Sequence, residues 1–212
     1  MKQGTFIIGV VRLKISNTRK AEGVHFLEGV IYKGMYWYVL FVLTGYEQMV
    51  ASEISRTWLL DGLKPFVPTY DAYFKRLGKV SVEKRQWVPG YVFLESPTRG
   101  LDFYLSVKPY VNRSEYALKI LRHGVGNLDH NFELNEKEYD FLKKFFNNEY
   151  CVEMSRGLIE GNKIVITEGP LVGHEGLIKR IDRHKMEVVI EAQFLNASRE
   201  LKVGLEIVKR LP

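Results

Sequence analysis

Five histidines, one cysteine and a short run of cationic side chains are the residues from which this sequence could build chemistry. His25, His123, His130, His174 and His184 show neither a His-Glu-x-x-His nor a His-x-His spacing, so no metal-holding pair emerges. Cys151 is the sole cysteine, which excludes an intramolecular disulfide and a Cys-cluster metal site and reads as a lone buried thiol. No nucleophile-elbow or phosphate-loop motif occurs. Asp182 and His184 imitate a catalytic Asp–His pair, but residues so close on a turn point apart, and no nucleophile stands beside them. The expectation is a protein without enzymatic function, metal or cofactor.

Three other features point to binding. Trp87-Val88-Pro89-Gly90-Tyr91 sets two large apolar residues before a Pro-Gly kink, and Tyr36, Trp37, Tyr38, Phe41 and Phe66 add further rings. This is either a core strand with a bulge or part of an exposed apolar pocket for a protein partner. Residues 168–178 (EGPLVGHEGLI) bracket a loop with glycines, which admit positive φ, and a strand follows. Lys179, Arg180, Arg183, His184 and Lys185 then crowd a hairpin tip. As a solvated turn this needs no partner. Five cationic groups so close also repel one another unless an anion compensates them, and no acidic run adjoins them in sequence. A nucleic-acid backbone is the matching anion, with Arg able to make bidentate phosphate or guanine contacts.

The elements that would position these residues follow from the hydrophobic pattern. The run at 36–43 (YWYVLFVL) reads as a buried central strand and is far short of the ~20 residues that cross a bilayer. Tyr46, Met49, Val50, Ile54 and Trp58 recur at helical spacing, predicting a helix over 46–60. An edge or irregular strand is expected over 64–74, where Pro65 and Pro68 fall, a hairpin tip near Gly78, and a returning strand over 85–95. A short helix over 100–109, a strand over 116–121, and a helix capped by Asn135 with Glu138 complete this part. From 162 onward short strands alternate with turns (163–167, 177–181, 186–192, 201–208), the pattern of a small barrel.

Composition agrees with a folded chain. The protein has 212 residues, 46% hydrophobic and 13% aromatic, too apolar for a disordered regulator. The net charge is +6, but residues 1–34 carry six Lys/Arg against two Asp/Glu, so any polyanion contact must come from local patches. That segment precedes Met35, so either a misplaced translation start or an appended hairpin accounts for it. No charged-then-apolar leader opens the chain, which implies a cytoplasmic protein.

Residues 36–208 resemble the NusG-like family of transcription elongation factors. The likeness runs through WYVLFVLTGYE at 37–47, FVPTYDAYF at 66–74, WVPGYVFLE at 87–95 and the KOW motif KIVITEGPLVGHEGLIKRID at 163–182. The resemblance implies an α+β fold. An N-terminal NGN-type antiparallel sheet with packed helices (35–148) is followed by a linker (149–160) and a small all-β KOW (SH3-like) barrel (161–212), with 1–34 an extension. It implies docking of Tyr38, Phe41, Phe66, Trp87, Val88 and Tyr91 on the clamp helices of bacterial RNA polymerase, holding the clamp in one conformer. Where the general factor has two Phe, Trp87-Val88 stand here; where its KOW hairpin is acidic, Lys179-Arg180 stand. Those departures are similar to LoaP-type antitermination paralogues, which read an RNA hairpin in a leader transcript. The RNA contacts would be Lys179, Arg180, Arg183, His184 and Lys185, helped by Lys163, Arg199 and Lys202. The family's ribosome-contacting loop usually reads Phe-Gly-Arg, and Phe194-Leu195-Asn196 stand here. The expected protein is a monomer with no membrane partner and no cofactor. A general elongation factor without its own RNA target, or a KOW-type ribosomal RNA-binding protein, are the rival readings.

Overall fold

A computed structural model describes residues 24–27, 30–57, 59–122, 131–160, 163–194 and 197–211, with 24–27, 30–33, 76, 80, 194 and 209–211 as backbone alone. The expectations for residues 1–23, Trp58, His123, His130, Leu195 and Asn196 lie outside the described residues. Strands β1 (Val24–Leu27) and β2 (Val30–Lys33) pair antiparallel, so part of the N-terminal extension is a β-ladder.

The apolar run becomes β3 (Tyr36–Val42), followed by α1 (Glu47–Arg56), β4 (Lys64–Phe66), β5 (Thr69–Arg76) and β6 (Lys79–Gln86). Next come β7 (Tyr91–Ser96), α2 (Gly100–Arg113), β8 (Ala117–Ile120) and α3 (Glu136–Phe145). Four of these strands form a sheet in the order β4-β7-β3-β8, with every pairing antiparallel. β3 is central and reads as continuously apolar because both of its faces are covered. Its even positions, Tyr38, Leu40 and Val42, pack with Val50 and Ile54 of α1 and Phe103 and Val107 of α2. The odd positions, Trp37 and Val39, face a second core with Phe66, Phe93, Leu142 and Phe145. The period of two thus sorts one strand between two cores. At α3 the Asn135 side chain accepts from the Glu138 N–H at 3.0 Å while Glu138 accepts from the Asn135 N–H at 3.0 Å, completing the expected cap.

Three expectations are corrected. The strand expected over 85–95 breaks: β6 ends at Gln86, residues 87–90 turn, and β7 starts at Tyr91. Gly90 occupies that turn at φ 84°, and its N–H donates to the buried Glu47 carboxylate at 2.6 Å. The same carboxylate accepts from the Gly45 N–H at 2.8 Å, so Glu47 holds two loops together. Second, residues 149–160 are not a free linker. β9 (Cys151–Val152) pairs parallel with Thr69 and Tyr70 of β5, giving the sheet β6-β5-β9, and β10 (Ser155–Glu160) already belongs to the C-terminal sheet.

Third, that C-terminal unit is a five-stranded sheet rather than a closed barrel. With β11 (Lys163–Glu168), β12 (Ile178–Asp182), β13 (Glu187–Phe194) and β14 (Ala197–Leu211), its order is β11-β10-β14-β13-β12. No pairing joins the outer strands β11 and β12 among the described residues. The 15-residue β14 runs antiparallel to β13 through its first half and parallel to β10 through its second, so one strand spans both parts of the sheet.

The two units share one core. Trp87, Val88, Phe145 and Val152 lie in the same buried cluster as Leu171, Val188, Ile190, Leu201, Val203 and Leu205 of the C-terminal sheet. At Gly204 the backbone of β14 comes so close to β5 that an added Cβ would lie 2.4 Å from the Asp71 carbonyl oxygen. Among the described residues no helix is long and apolar enough to cross a membrane.

Candidate nucleic-acid interface

Alternation along β12 would send Lys179 and Arg180 to opposite faces. A bulge lies between Ile178 and Arg180, where Ile178 opposes Ile190 and Arg180 opposes Val189, and both cationic residues are exposed. The turn beyond is fixed by Asp182, whose Oδ1 accepts from the His184 N–H at 3.1 Å and the Lys185 N–H at 3.0 Å. Those donors, the Lys185 amide foremost, hold the Asp182 carboxyl below its usual range. Asp182 therefore binds backbone here and does not orient the His184 ring. Met186 closes the turn at φ 49°.

Arg180, Arg183, His184, Lys185 and Lys202 line a shallow groove of about 660 Å³ together with Asp182 and Glu187. Five of the eight expected RNA contacts thus converge. The side chains of Arg180, Arg183 and His184 make no hydrogen bond or ion pair among the described residues and are exposed to solvent. The other three lie elsewhere. Lys179 pairs across the strands with Glu191 at 2.6 Å, which holds its ammonium above the usual range and the Glu191 carboxyl below it. That cross-strand carboxylate compensates Lys179, and Asp182 compensates Lys185 locally at 3.4 Å. Lys163 is exposed at the start of β11. Arg199 stacks its guanidinium over the Tyr91 ring at 5.0 Å, against the other unit.

The six expected polymerase contacts do not form one exposed pocket. Tyr38 is fully buried on the helix side of β3, stacked on Phe103 with ring centroids 3.4 Å apart, its hydroxyl donating to the Thr98 carbonyl at 2.9 Å. Burial pushes that phenol well above its usual range. Phe66 lies in the second core. Phe41 and Tyr91 form a half-buried pair with centroids 5.5 Å apart, and the Lys119 ammonium sits over Phe41. Trp87 and Val88 are covered by the C-terminal sheet: the Trp87 indole N–H donates to the Lys202 carbonyl at 2.8 Å, and its ring packs on Phe145 and Phe146.

Residues that sequence reasoning passed over form the seam. Glu187, 8% exposed, accepts from the Tyr70 hydroxyl at 3.0 Å through Oε2 and pairs with Lys202 Nζ at 3.1 Å through Oε1. Burial and the Glu187 charge push the Tyr70 phenol up to about 12. Tyr73 donates to Glu206 at 3.1 Å, and Asp71 accepts from the Met154 N–H at 3.2 Å. A glutamate opening an apolar strand and a tyrosine 117 residues away carry no signal that links them in sequence. Cys151 lies against Asp71 and burial raises its thiol pKa, so it stays an unreactive thiol at neutral pH. The described residues contain no group of three or more His, Cys, Asp or Glu placed to hold a metal.

Residues 35–138 match the family model described as transcription termination factor nusG. The chain carries a NusG-family domain. This NusG-family stretch runs from the residue before β3 into the first turn of α3, while the C-terminal sheet lies beyond it. Among solved structures the chain is similar to one titled "Domain interaction in Thermotoga maritima NusG". The identity is 18% and the TM-score 0.41, over 80% of this chain and 93% of that one. No curated protein matches the chain.

Proposed function

We propose that this chain is a transcription antitermination factor of the LoaP type. Its NusG-family domain binds the clamp helices of bacterial RNA polymerase, and its C-terminal sheet, acting as a KOW domain, holds an RNA hairpin of a leader transcript in the cytoplasm. Together they promote read-through of terminators in a long operon. The observation that carries the RNA half is the groove in which Arg180, Arg183, His184, Lys185 and Lys202 converge. Such a groove suits phosphate contacts, whose affinity falls with salt, and shape or base readout at an unpaired loop. The family match carries the polymerase half.

The mechanism is one of binding energy without bond chemistry. A factor that prefers one clamp conformer shifts the population toward it by no more than its differential affinity. In the closed arrangement Phe41 and Tyr91 remain partly accessible, while Trp87 and Val88 can meet polymerase only once the C-terminal sheet has moved away.

Single-round transcription through consecutive intrinsic terminators tests the reading, on the gene's own operon leader either intact or with its hairpin scrambled. Read-through confined to the intact leader is the expected result. Equal effects on both templates would make the protein a general elongation factor, and no effect on either would favour a ribosomal role.

A further inference from the structure

We infer that RNA in the basic groove and closure of the two units against each other are antagonistic, coupled through Glu187 and Lys202. The inference rests on the RNA-binding reading of that groove and adds how its occupancy is regulated. Both residues line the groove, and both also belong to the seam. Glu187 is the shared component. One carboxylate oxygen takes the Lys202 ammonium, which is half exposed on the groove side, and the other takes the Tyr70 hydroxyl of the N-terminal unit.

A phosphate entering among Arg180, Arg183, His184 and Lys185 competes with Glu187 for Lys202. If it wins, Glu187 is left as a buried carboxylate with a single neutral donor, a costly state in a seam that excludes water. Separation of the units lets water reach Glu187 and Tyr70 and removes that cost. Anion in the groove therefore favours the open form. The reciprocal effect is required by linkage: closure holds the Glu187 charge against the groove and lowers its attraction for phosphate. The backbone makes the second connection, since the residue whose side chain enters the groove also accepts the Trp87 indole N–H through its carbonyl.

Tyr70→Phe tests this without altering any residue of the groove. In the full-length protein, affinity for an end-labelled stem-loop from the gene's own operon leader is read by fluorescence anisotropy. The Trp87 indole N–H resonance, assigned with Trp87→Phe, reports the seam. Tyr70→Phe is expected to bind the stem-loop about five-fold or more tightly than the parent, the lower end of typical couplings. Saturating RNA is expected to move the parent Trp87 resonance to its unbonded position. Gly204→Ala, which disturbs the seam by backbone overlap and also lies outside the groove, should raise affinity in the same direction. Equal affinity of parent, Tyr70→Phe and Gly204→Ala, or a Trp87 resonance unmoved at saturation, would overturn the coupling while leaving RNA binding intact. Absence of binding by every variant would overturn both.

Discussion

Gly204→Ala separates the stability of the C-terminal sheet from the stability of its docking. An ideal Cβ at this position lies 2.4 Å from the Asp71 carbonyl oxygen and 2.6 Å from Met154 Sδ, against ordinary contact at 3.4–4 Å. The thioether can swing aside. The carbonyl belongs to β5 and moves only with its strand, so about 1 Å of overlap must be relieved by shifting one unit against the other. Overpacking of this kind costs about 1–3 kcal/mol. At 1.4 kcal/mol per factor of ten, the closed-to-open ratio falls by about 5- to 150-fold. Inside its own sheet the substitution works the other way. Gly204 pairs with Glu187 in a regular antiparallel register, and alanine in a strand interior is better than glycine by about 0.5–1 kcal/mol. The expected variant therefore shows a red-shifted tryptophan emission as Trp87 meets water, and a larger radius of gyration in small-angle scattering. Its C-terminal sheet should resist urea as well as the parent's or better. Unchanged emission together with an unchanged radius would refute the close-approach reasoning.

Asn135→Ala removes one half of the capping box at α3 and is expected to cost about 1 kcal/mol, read as a lower urea midpoint with an unchanged slope. Arg180→Ala and Arg183→Ala are each expected to weaken stem-loop binding and to reduce the salt slope of the affinity by about one, measured by anisotropy across salt concentrations. The Asp182 carboxyl is depressed by the amides it accepts, so its stabilisation of the turn is complete above the ordinary carboxylate range and is lost as pH falls through the lower folded value. The carboxyl carbon resonance of Asp182 is accordingly expected to hold steady from neutral pH down to about pH 4 and to shift below it.

Much of the fold was legible where its cause is local. The strand at Tyr36, the cap at Asn135 and the turn at Asp182 depend on neighbours within a few residues, and each stands where the pattern put it. Helix α2 was expected to stop at 109 and runs on to Arg113, because Pro109 is exposed and the chain beyond it still places Tyr110 against α1 through Glu53. What the sequence hid depends on pairing across long separations. Cys151 and Val152 look like linker until Thr69 and Tyr70 supply a parallel partner, and Ser155–Glu160 waits for the far end of β14. The candidate groove was visible as a cluster of cations. Its electrostatic partners were not, because Glu191 and Glu187 reach Lys179 and Lys202 across strands rather than along the chain. Trp87 was legible as a contact-making aromatic, but its occupant in this structure is the protein's own β14.

The double duty of Lys202 has a consequence for how such a protein could diversify. Its grip on Trp87 is made by a main-chain carbonyl, which every amino acid possesses, whereas its contribution to the groove is made by the side chain. The hydrogen bond to Trp87 therefore asks nothing of the side chain at 202, whereas the groove and the ion pair with Glu187 both do. A substitution there keeps the carbonyl that Trp87 needs but changes at once the cation offered to nucleic acid and the partner of Glu187, so groove and seam are retuned together.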